Sequence, residues 1–434
     1  MSNTKKSFDI IISGGGLSGS LMALSLADLT KADGSLLSIA IIEANAPAAN
    51  ETANTAKNQN TAQQQNTSAL FDDRVLALSH ASAKYLDSVN VWQHLSPDAC
   101  AIEKIDISDR GHYGKARIEA KTHEVSALGY VIAMAKIGQA LLKVLASKSN
   151  VQWFSPDAIT AINWHPKSTI NHTIIDVTLN TGNTLQTSLL LGCDGVNSPC
   201  RQLAKISVNK SDYQQVALIA NVATEKPHNN KAFERFTELG PIAMLPLTEL
   251  NNTQNRCSLV WTMSAEQSGQ LLTLNDTDFC AQLELAFGSW LGEITQVGKR
   301  HTYPLVLLQA QQQTYHRMAL IGNASHTIHP IAGQGFNLGL RDVQLMASLI
   351  ENQLQNQPQN KSQNQVDIGS FALLNEYSLK RAQDQTQIIN LTDSLVTLFS
   401  NSLPPMVVGR NTGLKILNYL SPLKKTLVNK LMGY

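Results

Sequence analysis

This 434-residue chain is poor in aromatic residues (6%) and in charge (15%). What charge it has nearly cancels, 34 Lys and Arg against 33 Asp and Glu. A net of +1 argues against electrostatic attraction to nucleic acid. The five cysteines (Cys100, Cys193, Cys200, Cys257 and Cys280) form no CxxC and no metal-ligand spacing. An odd number in apolar surroundings predicts reduced, mostly buried thiols in a cytoplasmic setting. No apolar run reaches the ~18 residues of a membrane-spanning helix. The apolar stretch at Ile10 is interrupted by glycines, which reads as a first strand rather than a signal peptide.

What is there is a 43% hydrophobic chain long enough for two intimately joined domains. Ala44–Ser68 and Gln353–Gln365 are rich in Asn and Gln. Both read as surface insertions without chemistry, the first (44–68) a flexible one.

Phe8–Ser13 is a short apolar run of the kind that forms a buried parallel strand. Gly14-Gly15-Gly16-Leu17-Ser18-Gly19 follows at once, and apolar residues then recur at helical spacing. In such a strand–turn–helix Gly14 allows the turn, Gly16 lets the backbone approach a pyrophosphate, and Gly19 lets helix and strand pack closely. The phosphates would meet free N–H groups at the positive end of the helix. A second apolar run, Leu36–Ile42, ends in Glu43, an acid placed to bind the adenosine ribose.

The stretch Gly322–Asp342, about 300 residues beyond Gly19, repeats this logic. Arg317–Asn323 reads as a strand ending at a small-residue turn. His326, Pro330, Gly333 and Gly335 carry a loop into a helix starting near Phe336 or Asn337. The start of that helix favours negative charge beside it. Together the two segments read as halves of one FAD site. His326 and His329 lack a third ligand, so no metal is expected, and a loop-ordering or substrate-lining role fits them better.

Three further segments are ambiguous from residues alone. Phe71–Ser79 is expected to begin a helix, and its Arg74 either clamps a pyrophosphate or pairs with Asp72 or Asp73. Leu189–Gly195 is a buried strand running into Asp194-Gly195, either a plain turn or an acceptor for cofactor hydroxyls. From Leu403 to Tyr434 there are five Lys or Arg and no Asp or Glu, interleaved with apolar residues. That stretch suits the surface of an anionic bilayer or a helix packed on its own domain.

With these residues in hand, the chain resembles the class A flavoprotein aromatic hydroxylases, the para-hydroxybenzoate hydroxylase type. The resemblance rests on four ordered motifs: Gly14–Gly19, Asp72–Arg74, Asp194-Gly195 and Gly322–Gly335. Ile107–His112, Ala232–Thr237, His326–Gly335, Asp393–Val396 and Val407–Asn411 are similar to the ubiquinone-biosynthesis branch. Within it the likeness is greatest to the hydroxylase acting at ring position 4 of a 2-polyprenyl-6-methoxyphenol, and sister enzymes act at other positions.

The resemblance implies an α/β fold, mixed with α+β features. A Rossmann-like FAD-binding domain (1–110, 130–210 and 313–350) interleaves with a mostly antiparallel-sheet substrate domain (111–129 and 211–312). A C-terminal helical region (351–434) follows. Val216–Val222 and Arg256–Met263 are the expected middle strands. Carried over by position, Gly14, Gly16, Gly19, Glu43, Arg74, Gln139, Asp194, Asn323, Gly335 and Asn337 would hold FAD. Gln139 rests on its place in an expected helix, Lys136–Val144. Asn323 departs from the aspartate of the broader family, which removes one charge beside an anionic cofactor.

The implied reaction is monooxygenation of a polyprenyl phenol by O2 through a flavin C4a-hydroperoxide, with NAD(P)H or an external reductant as donor. No acid or base stands out in the sequence. His329, Pro330, Gly333 and Gln334 are the pocket candidates. The competing readings are a sister hydroxylase, a flavin reductase that inserts no oxygen, and a scaffold subunit. The implied setting is cytoplasmic, with peripheral contact at the inner face of the membrane or with a ubiquinone-biosynthesis complex through 403–434.

Overall fold

The computed structural model describes residues 5–45, 74–165, 174–237, 240–250, 253, 255–329, 333–356, 366–400, 407–409, 411–413 and 421–433. Asp72, Asp73, Pro330 and nearly all of the expected insertion 44–68 lie outside the described residues.

The first sheet has eight strands. β1 (Lys6–Ser13) runs parallel between β2 (Ile39–Ile42) and β11 (Thr184–Gly192). Outward lie β19 (Met318–Leu320) and β18 (Thr314–Tyr315) on one side and β8 (Val151–Phe154) on the other. β10 (Ile175–Leu179) and β9 (Ile159–Asn163) branch antiparallel from β11. Ile10 and Ile12 of β1 face a core shared with α1 (Leu17–Ala27) and α7 (Gln334–Gln355), whereas Ile11 faces the opposite core. That alternation is the two-residue period of a strand. All three isoleucines are fully buried, each contributing ~1.5–3 kcal/mol. The β1–α1 unit is thus fixed from both faces.

The second sheet has nine strands and is mostly antiparallel. Its order is β20 (His326–Thr327), β17 (His301–Ala310), β12 (Val208–Thr224), β15 (Arg256–Met263), β14 (Gly240–Pro246), β13 (Lys231–Thr237), β5 (Lys104–Asp109) and β6 (Lys115–Glu119). β16 (Ile294–Val297) pairs with β12. One face packs Leu218, Ile242, Met244, Leu259 and Trp261 against Phe279, Leu283 and Phe287. The three phenylalanine and leucine partners belong to α6 (Asp276–Phe287), and α5 (Ala265–Thr273) packs against β12. On the other face Tyr303 of β17 meets Arg74. Between the two sheets stands a small one of β3 (Val75–Ser79), β7 (Gly129–Ala133) and β4 (Cys100–Ile102).

α2 (His80–Ser88), α3 (Met134–Leu145), α4 (Pro199–Leu203) and α8 (Phe371–Ser400) pack around the first sheet and its neighbours. α9 (Ser421–Met432) buries Val428 and Met432 against Ile118, Ala120 and Leu128. All five cysteines are buried and unpaired. Burial pushes the thiols of Cys193 and Cys200 well above their ordinary value, which keeps them protonated.

Three expectations need correction. Val75–Ser79 is a strand, not the start of a helix, because Val75–Ser79 pairs antiparallel with Gly129–Ala133 along its whole length. The helix begins one residue later, capped by Ser79, whose side chain accepts from the Ser82 N–H. The boundary drawn at 110 also moves: Lys104–Asp109 pairs with β13 and so belongs to the second sheet. His326–Thr327 likewise pairs with Gln309 and Leu308 of that sheet.

Candidate functional site

The glycine turn between β1 and α1 is shaped by two close approaches. Gly14 has φ +95°, and a Cβ there would stand 2.5 Å from the Cys193 carbonyl oxygen. A Cβ on Gly19 would stand 1.9 Å from the Gly14 carbonyl oxygen, so any side chain would push α1 off the strand. In front of Gly16 the space is open to 4 Å. Gly16 caps α1 without a side-chain bond, and the first turn holds no acidic residue. Its N–H groups are left for an external acceptor.

Glu43 stands at the end of β2. Its Oε2 accepts from the Gly15 N–H at 2.7 Å and its Oε1 from the Asn45 N–H at 2.9 Å. Asp194 lies across the turn from Gly14. Its Oδ2 accepts from the Cys200 N–H at 2.9 Å, while its Oδ1 is buried with no hydrogen-bond partner among the described residues.

The distant C-terminal motif comes to the same place. Gly322 has φ +59°, and a Cβ there would stand 2.9 Å from Ser18 Oγ in the first turn of α1. The Gly322 N–H donates to Asp342 Oδ2 at 2.7 Å. Asp342 in turn accepts from Arg381 Nε at 2.6 Å, a fully buried pair linking α7 to α8. His326 joins it through Gln385, whose Nε2 lies 3.0 Å from His326 Nδ1. Burial lowers the pKa of His326, outweighing the nearby Asp342 carboxylate, so the ring stays neutral. The imidazole therefore belongs to a network that orders the turn. Asn323 is exposed on that turn.

Gly333 carries the chain over Ala77 of β3 into α7, where Gln334 is buried and Gly335 lies beside Ile328. Asn337 ties these parts together. Its Oδ1 accepts from the Ser79 N–H and from Ser82 Oγ, and its Nδ2 donates to the carbonyls of Ala77 and Gly333. Its amide is therefore committed within the protein, leaving only its backbone for a ligand.

Arg74, at the start of β3, is exposed, and its guanidinium lies 5.7 Å from the ring of Tyr303 on β17. It thus stands between the two large sheets. Gln139 is exposed on α3, next to Gly138, which faces Leu17 of α1.

His329 is buried, and burial drives its pKa down to about 4. Tyr213 meets it edge to face at 5.2 Å and donates from its hydroxyl to Asp393 of α8. Burial together with Asp393 raises the Tyr213 pKa, so this phenol stays protonated. Tyr213 and Arg381 carried no signal in the sequence, and Asp393 entered only within a family pattern: each acquires its place through contacts 180 or 39 residues away.

An open glycine loop at an uncapped helix start and an unpartnered buried carboxylate oxygen suit a dinucleotide with anionic phosphates and free hydroxyls. The comparisons agree. The chain belongs to the FAD binding domain family, whose model matches residues 7–365. A ubiquinone hydroxylase of Rhodospirillum rubrum is 32% identical, the match covering 98% of this chain and 89% of that one. The mitochondrial ubiquinone biosynthesis monooxygenase of Mus musculus is 30% identical, over 97% of this chain and 90% of that one. Among solved structures, p-nitrophenol 4-monooxygenase from Pseudomonas putida superposes with a TM-score of 0.70 at 14% identity, covering 98% and 97%. At that identity the likeness speaks for the fold alone.

Proposed function

From its membership of that family, we propose that the chain is a FAD-dependent monooxygenase that hydroxylates a polyprenylated phenol in ubiquinone biosynthesis. The carrying observation is the meeting of Gly322 with Ser18, which joins the two halves of the sequence pattern at one turn. The near full-length likeness to ubiquinone-pathway hydroxylases supplies the substrate class.

FAD, when bound, supplies the redox and oxygen-activating chemistry; the protein binds, orients and excludes water. The N–H groups after Gly16 would receive the pyrophosphate and Glu43 the ribose. The free oxygen of Asp194 would accept a cofactor hydroxyl. Arg74, between the sheets, would reach the pyrophosphate or the ring, and the backbone from Gly333 to Asn337 would face the flavin. Asn323 and Gln139 complete the proposed set. His329, neutral across the physiological range, would line the pocket as a hydrogen-bonding group that brings no charge.

The ring position proposed is position 4, with NAD(P)H or an external reductant as donor. Among the described residues no helix is long and apolar enough to cross a membrane. Exposed Lys425 and Lys430 on α9 would be where anionic lipid, or a partner enzyme, is met.

The test supplies FAD-loaded protein with a short-chain 2-prenyl-6-methoxyphenol, a reductant and 18O2. One labelled oxygen at ring position 4 is the expected mass-spectrometric result. Label at another position assigns a sister step. Reductant consumption without label, with every donor class tried, overturns the monooxygenase reading.

A further inference from the structure

The inner face of the second sheet carries a strip that packing does not close. The registers align Ile107, Glu234, Ala243, Val260, Ile219 and His301 across β5, β13, β14, β15, β12 and β17. All six are half-buried. On the opposite face their neighbours Phe233, Ile242, Leu259 and Leu218 are fully enclosed. Where β12 and β15 cross the strip, the residues two positions away on the same face, Ala217 and Thr262 on one side and Asn221 and Ser258 on the other, are closed. Between them the half-open row is the floor of a recess. Its direction is fixed by Tyr303, on the same face of β17, which meets Arg74. The recess therefore opens toward β3, whose Ala77 lies against Gly333 at the α7 start.

Four of the six floor residues are aliphatic, and one is a carboxylic acid. Among the described residues Glu234 has no hydrogen-bond or ion-pair partner, and it stands half-buried among the aliphatic residues of this floor.

We propose that Glu234 accepts the hydroxyl proton of the substrate phenol as the ring becomes a nucleophile. This rests on the hydroxylase reading above. The substrate O–H bond breaks, its electron pair stays on oxygen and flows into the ring, and the proton rests on the Glu234 carboxylate until product leaves. The aliphatic floor holds the ring and the first prenyl carbons. A group for this task must be ionised in the working range and reprotonated easily. Desolvation raises the Glu234 pKa to about 7, which meets both conditions.

The titratable or charged groups on this side include Asp109 on β5, Arg256 on β15, His301 and Tyr303 on β17, Tyr213, Asp393 on α8, His329 and Arg74. Asp109 is held by Asn411 and Asp393 by Tyr213. None of them contributes to the Glu234 shift, whose cause is desolvation alone.

The test compares wild type, Glu234→Gln and Glu234→Asp, all FAD-loaded, with 2-prenylphenol and its methyl ether between pH 5.5 and 9. In wild type, hydroxylation should rise with pH to a plateau with its midpoint near 7. Glu234→Gln should lose about 100-fold and become flat in pH, while Glu234→Asp keeps part of the rate and the midpoint. Calorimetric binding gives a readout without turnover. Wild type should prefer the phenol to its ether increasingly as pH passes 7, and Glu234→Gln should lose that trend. A wild-type rate and pH midpoint in Glu234→Gln overturns the proposal. Should wild type hydroxylate no prenylphenol, the hydroxylase reading fails. The Glu234 assignment then stands or falls on the binding trend alone, and a trend absent from wild type ends it.

Discussion

Glu234 and His329 pull stability in opposite directions with pH. Glu234 has its pKa raised from 4.5 to about 7 by desolvation. The folded state therefore holds the proton more tightly than the unfolded one, and stability falls as pH rises from about 4.5 to 7. A shift of that size costs about 3 kcal/mol above pH 7. His329, lowered from 6.5 to about 4, acts the other way: its contribution is full above 6.5 and is lost as pH falls toward 4. Glu234→Gln should therefore unfold at higher urea than wild type at pH 8 and at nearly the same urea at pH 4.5. An equal gain at both pH values would show that the carboxyl is not desolvated. None of this was visible in the sequence. Glu234 sits in a segment, Ala232–Thr237, that resembles a family pattern, yet only the sheet register reveals which way it faces.

At the scale of elements, the strand–turn–helix units are what the sequence made legible. The apolar run from Phe8, the glycines and the helical spacing specify β1 and α1 locally, and Leu189–Gly192 and Met318–Leu320 appear as strands for the same reason. The strands expected at Val216–Val222 and Arg256–Met263 pair residue by residue in the second sheet. The failure at Phe71–Ser79 is instructive. Val75-Leu76-Ala77-Leu78 fits both periods when read alone, and β7, more than 50 residues away, decides for the strand.

Asn337 shows how such non-local pieces are held. Asn337→Ala removes the side-chain partner of two part-buried carbonyls, one buried N–H and one buried hydroxyl. Losing that set should cost roughly 3 kcal/mol in urea unfolding. Ser79→Ala, which removes the α2 cap and a hydroxyl contact with Ser82, should cost about 1 kcal/mol. Equal costs would deny Asn337 its role as the joint between β3, α2 and α7.

Over the whole molecule, the chain folds its two ends onto one turn. The α7–α8 pair is locked by Asp342 and Arg381, and α9 returns to the second sheet through Val428 and Met432. Of the two readings of the basic C-terminal stretch, packing on its own domain therefore has a structural basis for those two residues. The sequence told that 14–19 and 322–335 belong together through their repeated strand–turn–helix logic and the family pattern, while the contact itself is non-local. Their contact depends on Gly322, where a side chain would meet both a positive φ and Ser18.

The direct measurement is the FAD affinity of Gly19→Val and Gly322→Val against wild type, read from bound-flavin absorbance, with circular dichroism to certify the fold. Each substitution alone, about 300 residues apart in the chain, should weaken FAD at least tenfold while the secondary structure persists. A folded Gly322→Val protein that binds FAD as wild type does would contradict the account that both halves build one cofactor site.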